Sequence, residues 1–362
     1  MEHYCLLSSG VTLGTYVPAV MLEKQMTSKG LKVDTYVLET YFQQGAQGKL
    51  IELKKQIHQS FAFAKMAQKV SSDIKSSYDE TKLQQLFETW QAFDTIHLIV
   101  FSGFWISIID EFVGAYSHQV EIDVQVIHMD ASYSASWKLH KQLSPDYQHN
   151  WLFNLEAMEV THSIGIPQEI IPFTERKSEV LIHGGGWGIG TYQNTLQSSI
   201  ADHYHLNMVA YEPSDMLSNV SISYFQQQPG WNAWNRDEHG NHTFPPMIVK
   251  SPGSEPTVEY EFNGCSPIYR IVQLSQAIIS KPGGATIMDS LHSATPLIYL
   301  ENYGKYETDN AELWRSLGLG MSFPEWKASG FDPGLLEQMH HNLTEVKSNT
   351  QEVIDLLTQV VI

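Results

Sequence analysis

The sequence predicts an α/β protein built on parallel sheets, and three observations carry that expectation. Short apolar, β-rich runs alternate with stretches of helical periodicity, the pattern of repeated strand–helix–strand units. Two of these runs pass directly into glycine-bearing turns, at 10–14 and at 184–190. The length, 362 residues, suits two domains or one large α/β domain, and a hydrophobic content of 42% is ample for packed cores.

Taken in order, His3–Leu7 reads as a first buried strand, Gly10 to Gly14 as its turn, and Tyr16 to Lys29 as a helix ending at Gly30. Lys32–Leu38 reads as a second strand. The stretch Lys49–Lys82 interleaves Lys54, Lys55, Lys65 and Lys69 with Phe61, Phe63 and Met66. This is an amphipathic helix whose basic face is either solvated or laid on a membrane or acceptor surface. Further strands are expected at His97–Phe101 and Asp123–His128. Residues 166–178, with two prolines and mixed charge, read as a linker.

A second α/β series opens at Glu179–His183 and continues with strands at Leu206–Tyr211 and Ala277–Lys281. Between them, Gln228–Pro256 reads as a long polar loop carrying Trp231, Trp234, His239 and His242, and loops of this length are commonly functional or disordered. No third or fourth ligand stands in register with the two histidines, so no metal site is expected there. Leu343–Ile362 has helical spacing in Val346, Val353, Leu356, Leu357 and Val360. The expected organisation is a first domain over 1–165, the linker, a second domain over 179–340, and a last helix over 341–362 that returns to the first domain.

A formal net charge of −18 argues against nucleic acid and against tight adhesion to an anionic membrane. The two cysteines, Cys5 and Cys265, lie far apart and suggest no disulfide framework. No basic stretch precedes the short N-terminal apolar run, so no signal peptide is expected, and no apolar stretch reaches spanning length. A soluble, cytoplasmic protein is the expectation.

The most informative stretch is Ser280–Gly320. It opens Lys281-Pro282-Gly283-Gly284-Ala285-Thr286 and places Asp289 one turn later. The apolar run Thr295–Leu300 follows, and then Glu307-Thr308-Asp309-Asn310. Glycines ahead of a helix let the backbone approach a ligand, and the free N–H groups of the helix start favour a phosphate. A carboxylate one turn in could accept hydrogen bonds from a ribose. The same residues also fit an ordinary strand–turn–helix unit.

This stretch resembles the donor-nucleotide segment of GT-B glycosyltransferases, above all the lipid-intermediate N-acetylglucosaminyltransferase of peptidoglycan synthesis and the diacylglycerol sugar transferases. Those read Ser-Lys-Pro-Gly-Gly-x-Thr, then Glu, a Gly-x-Pro strand, Gln-Glu and Asn-Ala. Here Asp289 stands for the Glu and Ala294 for the Gly, and one extra residue precedes Glu307. Other matches follow in the family's order: Gly10–Ala19 with its first glycine loop, Phe101–Ser107 with its Gly-Gly-Tyr-x-Ser segment, Val126–Asp130 with the following strand end, His183–Gly188 with the loop opening the second domain, and Pro267–Ile279 with the approach to the donor loop.

The resemblance implies two Rossmann-like domains facing across a cleft. It implies a metal-independent transferase that takes a nucleotide sugar, UDP-linked, as co-substrate and needs no cofactor. The donor would be held by Gly185, Gly186, Lys281, Gly283, Gly284, Thr286, Asp289, Glu307 and Asn310. Gly14, Thr15 and Gly103 would form the acceptor side. Packing is the alternative role for Lys281, and helix capping for Glu307 and Asn310. Thr15 stands where the family motif often has His, and threonine is no base near neutral pH. At the end of a parallel strand, where such sheets place ligands, Asp130 is the first candidate base and His128 the second. The acidic balance favours a small soluble acceptor. A catalytically silent binding or partner protein, a membrane-peripheral lipid glycosyltransferase and a nucleotide-sugar epimerase are the alternatives.

Overall fold

The computed structural model describes residues 2–11, 13–69, 74–140, 143–165, 168–217, 221–261 and 264–358. Thr12 of the first turn, Ile166 and Pro167 of the expected linker, and Val360 of the expected last helix lie outside the described residues.

The first sheet contains β1 (Glu2–Ser8), β2 (Val33–Val37), β3 (Thr95–Val100), β4 (Glu121–His128) and β5 (Gln148–Trp151), all parallel, in the order β2-β1-β3-β4-β5. After Glu2, every residue of β1 is buried, which is why Tyr4–Leu7 form a continuous apolar run rather than an alternating pattern. Its flanking helices are α1 (Leu13–Ser28), α2 (Ala46–Gln59), α3 (Phe61–Lys69), α4 (Glu80–Gln91) and α5 (Ile106–Tyr116). Asp79 starts α4 by accepting the N–H groups of Thr81 and Lys82. A short antiparallel pair, β6 (Phe153–Asn154) with β7 (Glu159–Val160), and the two-residue β8 (His162–Ser163) complete this half.

The second sheet holds β9 (Glu179–Ile182), β10 (His205–Ala210), β11 (Ile222–Gln227), β12 (Met247–Lys250), β13 (Thr257–Glu259), β14 (Ala277–Ser280), β15 (Leu297–Tyr299) and β16 (Gly320–Ser322). Their order is β13-β12-β11-β10-β9-β14-β15-β16, and β12 alone runs against the rest, antiparallel to both β11 and β13. Helices α6 (Pro267–Leu274), α7 (Gly284–Ser293), α8 (Lys305–Ser316), α9 (Phe323–Ala328) and α10 (Pro333–Ser348) cover it. Chain order reverses between β1 and β3 in one sheet and between β9 and β14 in the other. These are the crevices where such sheets bind ligands. Helix α7 ends on Ala294 in the left-handed region (φ 51), a conformation glycine would adopt without strain.

The two halves are in contact. Helix α1 packs on α7, and one apolar cluster joins Leu6 and Ile99 of the first sheet to Leu181 and Ile278 of the second through Val20, Met26, Ile287 and Leu291.

Three expectations change. The last helix is interrupted: α10 stops at Ser348, then β17 (Gln351–Glu352) pairs in parallel with β8, and α11 (Val353–Thr358) follows. Tertiary pairing overrides the helical period there, and Lys29 of α1 meets Asp355 of α11 at 2.9 Å. The polar stretch Gln228–Pro256 contains β12, and the part ahead of β12 is fastened to the first half. Tyr16 Oη donates to the Thr243 carbonyl at 2.7 Å, and Trp231 lies edge-on to Tyr16. The lysine-rich stretch forms two helices broken at Ser60, and Lys65 pairs with Glu301 of the second half. Among the described residues no helix is long and apolar enough to cross a membrane, and no group of three or more His, Cys, Asp or Glu is placed to hold a metal ion.

Candidate active site between the two sheets

The end of β4 meets the start of α7. A Cβ on Gly284 would overlap the Met129 carbonyl and lie 3.0 Å from Asp130 Oδ1, so only glycine permits this approach. Asn310 of α8 locks the junction. Its Nδ2 donates to Asp130 Oδ1 at 2.8 Å and to the Pro282 carbonyl at 2.9 Å, and its Oδ1 accepts the Ala131 N–H at 2.8 Å. Ser132 Oγ donates to Asp309 Oδ2 at 2.5 Å. Glu307 is fully buried. Its Oε1 accepts from Lys281 Nζ at 2.5 Å and its Oε2 from the Tyr303 N–H at 2.6 Å. The structure thus brings Asp130, Lys281, Gly284, Glu307 and Asn310 together, with Gly283 as the N-cap of α7 and Thr286 buried in its first turn.

Burial pushes the Asp130 carboxyl up to about 6. The Asn310 amide opposes the rise, Glu307 adds to it, and Lys281 and the Gly284 N–H oppose it. The group is therefore ionised at neutral pH yet close to its titration, which suits proton transfer. His183, at the end of β9, accepts the Gly185 N–H on Nδ1 at 3.1 Å. Burial, with Lys281 nearby, pushes it down to about 4 and keeps it neutral. Sequence reasoning took His183 only as the lead into a glycine loop; a histidine ending a strand before three glycines was the available signal.

Gly185 adopts φ +72, and Lys281 lies 3.6 Å from the place of a Cβ there. A Cβ on Gly186 would stand 2.7 Å from the Leu13 nitrogen, so the second glycine loop rests on the start of α1.

Asp289 stands apart from this cluster, near Cys265 and Tyr269. It is partly exposed, and no described residue donates a hydrogen bond to its carboxylate. Burial alone pushes the carboxyl up to about 7. Its charged form gains from any ligand that donates hydrogen bonds to it.

Four sequence candidates sit elsewhere. His128 is buried, stacked on Trp151 at 3.9 Å with Nε2 against His149 Nδ1 at 2.9 Å, and does not reach the cluster. Burial pushes it down to about 3, so it is neutral at pH 7. Gly14 and Thr15 lie in the first turn of α1, not in a loop. The Thr15 hydroxyl is bound to the backbone of Ser9, donating to its carbonyl at 3.0 Å. The Gly103 N–H donates to Ser136 Oγ at 3.3 Å.

The first glycine loop is filled from within. Glu39, wholly buried, accepts the N–H groups of Gly10 and Val11, each at 2.7 Å, and the Ser9 hydroxyl at 2.8 Å. Beside this loop lies a cavity of about 540 Å³, bordered by Gly10, Lys54, His58, Trp187, Tyr211 and Trp234. His58 binds the Gly188 carbonyl at 2.9 Å and Asp215 at 3.0 Å. Burial is the largest influence and lowers its pKa, but the bonds to Asp215 and the Gly188 carbonyl and the charges of Asp215 and Glu212 together raise it.

No protein-family model matches the chain, and no curated protein matches it. Solved structures do. The glycosyltransferase SsfS6 of Streptomyces sp. SF2575, in complex with thymidine diphosphate, aligns with a TM-score of 0.54 at 11% identity over 99% of each chain. MurG of Acinetobacter baumannii aligns at 0.50 and 12% identity, over 99% of this chain and 100% of its own. The spinosyn rhamnosyltransferase SpnG aligns at 0.50 and 9% identity over 99% of each chain. Identity this low bears on architecture alone, and on architecture the alignments agree along nearly the whole chain: this protein has the GT-B glycosyltransferase fold.

Proposed function

We propose that the chain is a cytoplasmic glycosyltransferase moving a hexosyl group from a nucleotide donor, UDP-linked, to a small soluble acceptor, with no metal and no cofactor beyond the co-substrate. Residues 1–165 serve the acceptor and residues 179–340 the donor. The observation that carries this reading is the meeting of Asp130, from one sheet, with Lys281, Glu307, Asn310 and the start of α7, from the other. Lys281 and the first N–H groups of α7 take the diphosphate and stabilise it as it leaves. Asp289 takes the ribose, while Glu307 and Asn310 exchange their present partners, Lys281 and Tyr303 for the one and Asp130, Pro282 and Ala131 for the other, for the sugar hydroxyls. Asp130 accepts the proton of the attacking hydroxyl. Transfer is direct, without a covalent intermediate.

A silent binding protein of the same fold is the second reading. It is favoured by Thr15 and Glu39, which close the first glycine loop on itself. Thermal unfolding against UDP, GDP, dTDP, ADP and their sugars tests the donor site. A rise in Tm with UDP that disappears in Asp289→Ala is expected. No rise with any nucleotide would overturn the reading, and binding without product from any UDP-sugar would leave the silent one.

A further inference from the structure

The cavity beside the first glycine loop is built by both halves. Gly10 and Val11 form one wall with Lys54 and His58 of α2. Trp187, Tyr211 and the segment carrying Trp231 and Trp234 form the other. Its volume, about 540 Å³, falls in the range of small-molecule sites. The tryptophan wall is fixed in place. Trp231 donates its indole N–H to Thr243 Oγ1 at 3.1 Å, and a Cβ on Gly10 would stand 3.1 Å from Trp234 Cε3. Held aromatic faces present a flat, low-entropy surface to a ring.

The charges around this cavity are unevenly satisfied. His58 is engaged by Asp215 and the Gly188 carbonyl. Glu39 is consumed by the loop it caps. Lys54 has neither a hydrogen bond nor an ion pair among the described residues. Burial lowers its pKa, and Glu212, the acid it feels, only partly opposes that. Lys55 and Glu52 lie on the rim and are exposed to solvent. A partly desolvated ammonium that its acidic neighbour Glu212 does not bond costs free energy that an anionic ligand group restores.

We propose that this cavity binds a small molecule with a flat apolar ring and one anionic substituent, the ring against the tryptophan wall and the anion on Lys54. Binding stands on the cavity alone; the further statement that this molecule is the sugar acceptor rests on the glycosyltransferase reading above.

The test is a titration of 4-hydroxybenzoate and of its methyl ester, followed by tryptophan fluorescence, on the full chain and on Lys54→Met and Lys54→Arg. The acid should bind about tenfold more tightly than the ester, the worth of one charge-assisted contact. Lys54→Met should abolish that preference while still binding the ester, and Lys54→Arg should keep it. Equal binding of acid and ester, binding of neither, or a preference that survives in Lys54→Met each overturns the proposal. The UDP-induced rise in Tm, measured on the same proteins, separates the two readings. Acid binding without a UDP response keeps the cavity and removes the glycosyltransferase, and a UDP response without acid binding does the reverse.

Discussion

Glu307→Gln is the perturbation that reaches furthest into this site. The Lys281–Glu307 pair is buried, with side-chain exposures of 13% and 0% and a separation of 2.5 Å. Removing one charge of such a pair leaves the other desolvated and uncompensated, which costs about 3–5 kcal/mol. Glutamine still accepts the Tyr303 N–H that Glu307 Oε2 holds at 2.6 Å, and Lys281 keeps slight access to water. The loss should therefore fall near the lower end, about 3 kcal/mol, read as a fall in the urea midpoint with an unchanged slope. Adding Lys281→Met should cost less than the sum of the two single changes, because the stranded ammonium is gone; a coupling of about 2 kcal/mol is expected. The same change should act oppositely on nucleotide. With its carboxylate partner removed, Lys281 is free for phosphate, so UDP should raise the Tm of Glu307→Gln more than that of the unaltered chain. A UDP-sugar should add nothing beyond UDP. Stability within about 0.5 kcal/mol of the starting protein, a range expected of surface changes, would refute the buried-pair argument. A smaller UDP response would refute the role given to Lys281.

Two further outcomes follow from the same junction. The Asp130 carboxyl, pushed up to about 6 by burial, must be ionised to take a proton. Hence kcat/KM for sugar transfer should be level above pH 7 and fall about tenfold per pH unit well below pH 6; a slow Asp130→Asn variant that keeps this acid limb would exclude Asp130 as its source. Gly284→Ala adds a methyl group into the Met129 carbonyl and should cost about 1–3 kcal/mol in chemical denaturation. No cost would mean that the β4 end and α7 stand apart in solution.

Much of this arrangement was legible because it is local. Strands such as β1, β3 and β9 are buried along most of their length, so their sequences are compact apolar runs that few other structures would produce. Lys281, Gly283, Gly284, Glu307 and Asn310 lie within one short stretch, and the turn and helix between them follow from glycine and period. What stayed hidden depends on distant partners. Glu39 reaches back to Gly10 from the end of β2, and Asn310 joins Asp130 from the other sheet. Nothing near Gly10 signals that its N–H groups are already taken. His128 and Asp130 are separated by one residue, and both were strand-end candidates, Asp130 the first and His128 the second. Only the packing around them, with Trp151 against one and Asn310 against the other, separates an aromatic stack from a polar junction. The helical period of the tail concealed β17 because a two-residue pairing with β8 leaves no mark on composition.

That pairing has a mechanical consequence. The chain leaves the first half just after His162–Ser163 and comes back at Gln351–Glu352, and these two passages lie side by side, bonded to one another. Two strands joined along their length act as one strap. Should the halves open, the expected motion is a pivot about the strap, with the smallest displacement beside it and the largest at the far rim. Labels placed near Ser163 and Glu352 should keep their separation through any opening, so a distance change there would mean that the strap itself has come undone.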